Sequence, residues 1–80
     1  MKTVQFYTRE RCRLCRDAKI ILELLQDEIP FTIEEIDIES EDRLVEEYGL
    51  KIPVIAIDGA EVQYGQIDYE TIRERLISEE

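Results

Sequence analysis

The chain has 80 residues, 44% of them hydrophobic and 38% charged, with a formal net charge of -10 at pH 7, two cysteines and no histidine. That length fits one small domain spanning 1–80, and the share of Ile, Leu, Val and Phe is too high for a disordered acidic chain. The lack of histidine excludes Ser-His-Asp and Cys-His nucleophile pairs and imidazole metal ligands, and the acidity argues against a nucleic-acid partner.

Thr3-Val4-Gln5-Phe6-Tyr7, rich in β-branched and aromatic residues, predicts a short first strand. Leu14, Ala18, Ile21, Leu22 and Leu25 then recur at helical spacing, predicting a helix over Arg13–Asp27 that ends before Pro30. Phe31 to Ile38 reads as a second strand, with a phase slip between Ile33 and Ile36 that predicts a bulge or a two-sided environment. Ser40 is the expected N-cap of a second helix carrying Leu44, Val45 and Tyr48, with Gly49 stopping it at C′.

Val54 to Ile57 is a continuous apolar run, the pattern of a buried central strand. Asp58-Gly59 signals a hairpin, with Glu61 to Tyr64 as the returning strand. Asp68 is the expected cap of a last helix that turns Tyr69, Ile72, Leu76 and Ile77 inward. The order is β-α-β-α-β-β-α, an α/β arrangement with a small sheet, parallel in its first half, and helices on both faces.

No apolar run approaches the about 20 residues needed to span a bilayer, and no signal-peptide core follows Met1-Lys2. The expected compartment is therefore the cytoplasm, where structural disulfides are rare, so two cysteines three positions apart read as chemical. In the first turn of a helix, Cys12 and Cys15 would hold their Cα atoms about 5 to 6 Å apart, within the range a disulfide needs. Cys12 falls near the helix N-terminus, where free N–H groups and the dipole favour a thiolate. From Arg9 to Lys19 the chain carries five cations (Arg9, Arg11, Arg13, Arg16, Lys19) against two anions, which also favours a lowered thiol pKa. Cys15, one turn inside, would act second as the resolving thiol.

Three other readings stand beside this one. The cysteines could be small buried hydrophobes. They could be half of a zinc or iron–sulfur site completed by a carboxylate, an external thiol or a second copy. The arginines could be an ordinary solvated face.

Tyr7-Thr8-Arg9-Glu10-Arg11-Cys12-Arg13-Leu14-Cys15, after a strand and opening a helix, resembles the glutaredoxin active-site segment within the thioredoxin fold. Ile52-Pro53 before the Val54 strand, Gly65 and the final helix match the same pattern, so the resemblance covers essentially the whole chain. It implies a thioredoxin-like fold with a four-stranded mixed sheet and three helices. It also implies that Cys12 is the nucleophile and Cys15 the resolving cysteine. Arg9 stands where glutaredoxins usually carry a Lys that contacts the glutathione carboxylate, a task suited to a guanidinium fork. Ile52-Pro53 matches the step whose Pro is cis, which would present the Ile52 backbone to an extended substrate.

The chain also departs from that family. Arg13 and Leu14 replace the Pro and Tyr of C-P-Y-C, adding charge and an apolar docking point beside Cys12. Of the family's Gly-Gly-x-x-Asp glutathione motif, only Gly65 and Asp68 remain, with Tyr64 at the first Gly. In these respects the chain is most similar to the small, divergent bacterial glutaredoxin-like proteins.

The resemblance implies a monomeric thiol-disulfide oxidoreductase that reduces protein disulfides or glutathione mixed disulfides. It would bind no resident cofactor and no metal, take glutathione as a co-substrate, and draw its electrons from glutathione or a thioredoxin-reductase-type enzyme. The alternatives are a non-catalytic thioredoxin-fold binding module and an iron–sulfur cluster carrier using Cys12.

Overall fold

The computed structural model describes residues 1–78; Glu79 and Glu80, the end of the expected 1–80 domain, lie outside them. The elements are β1 (Thr3–Thr8), α1 (Arg13–Glu28), β2 (Thr32–Asp37), a 3-10 turn (Ile38–Ser40), α2 (Asp42–Tyr48), β3 (Val54–Ile57), β4 (Ala60–Tyr64) and α3 (Tyr69–Ile77). The strands form one sheet in the order β2-β1-β3-β4. β1 runs parallel to β2 and antiparallel to β3, and β4 returns antiparallel to β3.

Alternation along the strands sorts the two faces. Val4 and Phe6 of β1 and Ile55 and Ile57 of β3 meet Ala18, Leu22 and Leu25 of α1 and Ile72 and Leu76 of α3 in one core. The intervening Tyr7 faces the other way and stacks on Tyr48 of α2, ring centroids 4.3 Å apart. α1 and α3 therefore cover one face and α2 the other, as the element order requires. Burial, and then the neighbouring Tyr7 hydroxyl, push the Tyr48 phenol up to about 12. β3 is buried along its whole length, which its unbroken apolar run anticipates.

The hairpin forms where Asp58-Gly59 predicts it, with both residues at positive φ, 49° and 88°. Asp58 Oδ1 accepts the Thr3 N–H at 2.9 Å, and its own N–H donates to the Thr3 carbonyl, tying the turn to β1.

Several local expectations are corrected. β2 ends at Asp37, and Ile38 enters the 3-10 turn instead. Its pairing with β1 is unbroken from Thr32 to Asp37, so no bulge lies between Ile33 and Ile36. The phase slip reflects the two-sided alternative, since both isoleucines are half-buried on an edge strand. The sheet's irregularity lies in β4, where the partner jumps from Gln63 to Glu61 across Ile55/Ala56.

Ser40 is not a helix cap. Asp37 Oδ1 accepts the Glu39 N–H and caps the 3-10 turn, while Ser40 Oγ donates to the Asp37 carbonyl. Glu41 occupies the N-cap position of α2, but its side chain makes no capping bond and accepts from Arg43 instead. Gly49 keeps a right-handed φ of -54° rather than a left-handed C′ conformation. Its value is steric, because a Cβ there would sit 2.5 Å from the Val45 carbonyl oxygen. Ile77 is 52% exposed, whereas Ile72 and Leu76 are buried as expected and Tyr69 packs partly against the core.

α3 is held at both ends. Tyr69 Oη and Arg73 Nε donate to Glu28 at 2.6 and 2.7 Å, and they hold that carboxyl below its ordinary 4.5. Lys2 Nζ donates to the carbonyls of Arg75 and Ser78. Asp68 Oδ2 accepts from the Thr71 N–H at 3.0 Å and its hydroxyl at 2.7 Å, which draws the Asp68 carboxyl below 3.8. A lowered folded-state pKa adds stability above the unfolded value that is lost as pH falls through the folded one. Asp68→Ala is therefore expected to lower Tm at pH 7. The gap to wild type should narrow as the pH drops below the unfolded 3.8, followed by thermal melts across pH 2.5–7.

Candidate active site at Cys12 and Cys15

β1 delivers the chain to the sheet's end, and Thr8 to Cys12 turn it into α1. Cys12 is the N-cap: it is extended (φ -119°, ψ 108°), its carbonyl accepts the Arg16 N–H at 3.1 Å, and its Sγ accepts the Cys15 N–H at 3.1 Å. The sulfur thus occupies the place where a Ser or Asp oxygen usually caps a helix. The Cα atoms of Cys12 and Cys15 are 5.2 Å apart and the sulfurs are joined in a disulfide. Cys12 is half-buried, while Cys15 is 3% exposed against the core of Ala18 and Leu22. An attacking sulfur can reach the outer cysteine but not the inner one.

The surrounding cations divide by their partners. Arg9 is paired with Glu39 at 2.8 Å and Lys19 with Glu35 at 3.2 Å. Arg11, Arg13 and Arg16 make no ion pair among the described residues. Arg11 also has φ of +59°, a left-handed conformation that an L residue other than Gly, Asn or Asp adopts at a cost. Arg11→Gly is expected to stabilise the fold by up to about 1 kcal/mol, the left-handed penalty less glycine's extra entropy. A Tm higher by a few degrees in calorimetry would show it.

A cleft of about 380 Å³ opens beside the sulfurs, between the first turns of α1 and the C-terminal end of β2. Phe6, Thr8, Cys12 and Cys15 line it together with Arg9, Arg11, Arg16 and Lys19 and the acidic Glu10, Glu35 and Asp37. Of the expected site residues it brings together Cys12, Cys15 and Arg9. Arg13, Leu14, Ile52, Pro53, Gly65 and Asp68 lie outside it. Glu35 and Asp37 carry no local signal. They join the site because β1 pairs with β2, placing Glu35 beside Phe6 and Asp37 beside Thr8.

On the β3 side of the same sheet end, where Val54 pairs with Tyr7, the Ile52-Pro53 peptide is cis, as the resemblance implies. Pro53 is buried, and Ile52, like Cys12, packs half-buried against the core. The Ile52 N–H already donates to the Tyr48 carbonyl at 3.1 Å, leaving its carbonyl as the group for any strand-like pairing. Gly65, at φ +76°, donates its N–H to the Pro53 and Lys51 carbonyls at 2.8 and 3.1 Å and latches this loop. Tyr64 is 55% exposed beneath the Lys51 ammonium, which lies 4.7 Å from its ring centroid. The Asp68 N–H donates to Gln63 Oε1. Leu14 is exposed at 44% beside the disulfide. Among the described residues no group of three or more Cys, Asp or Glu is arranged to hold a metal ion.

A parallel-then-antiparallel four-stranded sheet, flanked by helices on both faces, with a Cys-x-x-Cys pair opening α1 and a cis-proline before β3, defines a thioredoxin-fold protein of redox type. Residues 3–77 match the family model described as glutaredoxin-like domain (DUF836). The chain belongs to this glutaredoxin-like family. A curated glutaredoxin-like protein of Dictyostelium discoideum is 35% identical over 75 residues, which cover 86% of this chain and 69% of that protein. Among solved structures, protein Ne2328 of Nitrosomonas europaea superposes with a TM-score of 0.81 at 27% identity, covering 94% of this chain and 91% of its own. A protein from X. campestris gives 0.78 at 26%, covering 91% and 93%. A thioredoxin from Halobacterium salinarum, at 19% identity and a TM-score of 0.71 over 94% of this chain and 71% of its own, shares the fold.

Proposed function

We propose that the protein is a monomeric, single-domain thiol-disulfide oxidoreductase that works through the Cys12/Cys15 dithiol. The observation that carries this reading is Cys12 Sγ, accessible at the N-cap of α1, accepting the Cys15 N–H and lying at disulfide spacing from a buried second thiol. The N–H and the helix dipole favour the thiolate.

The Cys12 thiolate attacks one sulfur of a substrate disulfide. A Cys12 mixed disulfide forms and the first substrate thiolate leaves, taking a proton from solvent. Cys15, deprotonated as it attacks, then displaces the second thiolate from Cys12 Sγ and closes the intramolecular disulfide. The substrate gains two electrons, and the dithiol loses them. Two equivalents of glutathione, or a thioredoxin-reductase-type enzyme, return the pair to the dithiol. Arg13 supplies positive charge, Arg9, held by Glu39, lines the cleft, Leu14 gives an apolar contact, and Ile52 and Pro53 a backbone ledge beside Cys12. Gly65 and Asp68 shape the neighbouring loop and helix start.

This chemistry suits a reducing compartment such as the cytoplasm. Among the described residues no helix is long and apolar enough to cross a membrane.

The test follows alkylation of reduced Cys12 against pH, together with redox titration of the Cys12–Cys15 pair. A thiol pKa well below 8.5 and a reversible intramolecular disulfide are expected. An ordinary thiol pKa with no such disulfide would overturn the proposal.

A further inference from the structure

The two sides of Cys12 differ in what they leave free. Towards Pro53, the Ile52 and Gly65 N–H groups are spent on Tyr48, Lys51 and Pro53, and Asp68 is committed to its helix. Tyr64 adds a bulky exposed ring there. On the β2 side lies a cleft large enough for a small organic thiol, with Arg11 and Arg16 at its wall and unpaired among the described residues. The other cleft cations, Arg9 and Lys19, are neutralised by Glu39 and Glu35. Arg11 takes its place through a left-handed backbone that an arginine adopts only at a cost, a kind of strain that gathers at functional sites.

We infer that the β2-side cleft receives the half of a small disulfide substrate that becomes bonded to Cys12, and that Arg11 and Arg16 select a carboxylate on it. A guanidinium fork matches a carboxylate in two-point contact. The charge favoured is a single one, because Glu10 and Asp37, which make no ion pair among the described residues, also line the cleft and would repel a dianion such as phosphate. This inference rests on the oxidoreductase reading for its substrate, but the cleft's preference is measurable without turnover.

Reduced protein is alkylated with iodoacetate and with iodoacetamide, and the ratio of the two rates is taken so that thiolate fraction cancels. Arg16→Gln is expected to lower that ratio by about threefold and Arg11→Gln/Arg16→Gln by about tenfold, as exposed charge contacts imply. Arg43→Gln, on α2 and paired with Glu41 and Glu47, removes the same charge remotely and should leave it unchanged. In turnover, the KM for 3,3′-dithiodipropionate should rise severalfold in the cleft variants. The ratio of kcat/KM for 3,3′-dithiodipropionate to that for the neutral bis(2-hydroxyethyl) disulfide should fall by a similar factor, a change in the thiolate being common to both substrates.

Ratios in the cleft variants indistinguishable from Arg43→Gln would overturn the inference even if both disulfides are reduced. A shifted ratio in a protein that reduces neither disulfide would uphold the cleft's preference and sink the oxidoreductase reading instead.

Discussion

Replacing Cys12 with serine is expected to lower the rate of disulfide reduction by at least about a thousandfold, because a serine hydroxyl is not ionised at neutral pH and is a weak nucleophile unaided. The fold should not suffer. Cys12 Sγ serves as the helix cap by accepting the Cys15 N–H, and serine is among the best N-cap residues. A reduced wild type and a Cys12→Ser variant with the same Tm, but only one active, would separate chemistry from folding. Cys15→Ala, which fills a buried apolar site without stranding a hydroxyl, should still form the Cys12 mixed disulfide but not resolve it within the protein. Mass spectrometry would then find the adduct accumulating, while turnover with glutathione would reveal any one-cysteine route. Activity surviving in Cys12→Ser would remove Cys12 from the mechanism.

Leu22→Ala carries the largest expected loss of stability. Leu22 is fully buried at the centre of α1, and deleting such a side chain costs about 2–5 kcal/mol in transfer energy and cavity. A domain of this size has roughly 4–12 kcal/mol in total, so the variant should melt about 10–30 °C lower or be partly unfolded at room temperature. Leu24, two positions on, is 53% exposed, and Leu24→Ala should fall within about 0.5 kcal/mol of wild type. Thermal melts of the pair compare the same substitution on the two faces of one helix. Equal losses would mean that α1 does not pack by the face described.

The elements most legible in the sequence are those whose signals are local. Leu22 and Leu25 announce the buried face of α1, Asp58-Gly59 announces a turn that needs two positive φ values, and Asp68 announces a cap. Local signals decide less where two chemistries compete. Ser40 and Asp37 are both capping residues, and Asp37 won because the chain tightened into a 3-10 turn one residue after β2 ended. Gly49 offers conformational freedom by its type, but it serves here for the lack of a Cβ against the Val45 carbonyl. The bulge fell in β4, whose pattern gave no warning, since register is a property of the pair and not of either strand.

The candidate site divides the same way. Cys12 and Cys15 are paired by their spacing, and the arginines around them are neighbours in the chain, so composition and order alone pointed to a thiol pair in a cationic segment. Which of those cations remain free was a tertiary matter. Glu39 and Glu35 reach Arg9 and Lys19 only because β2 lies parallel beside β1, and that pairing also supplies the acidic wall of the cleft. By itself, the order of residues determined that this small acidic chain carries two thiols at disulfide spacing on a helix start, because helix geometry acts over three or four residues. The side of Cys12 that offers unpaired charge followed only from the parallel pairing of β2 with β1 and the Arg9–Glu39 bond 30 positions apart, and the side whose donors are used followed from the loop bonds of Ile52 and Gly65, because contacts between segments decide what is neutralised.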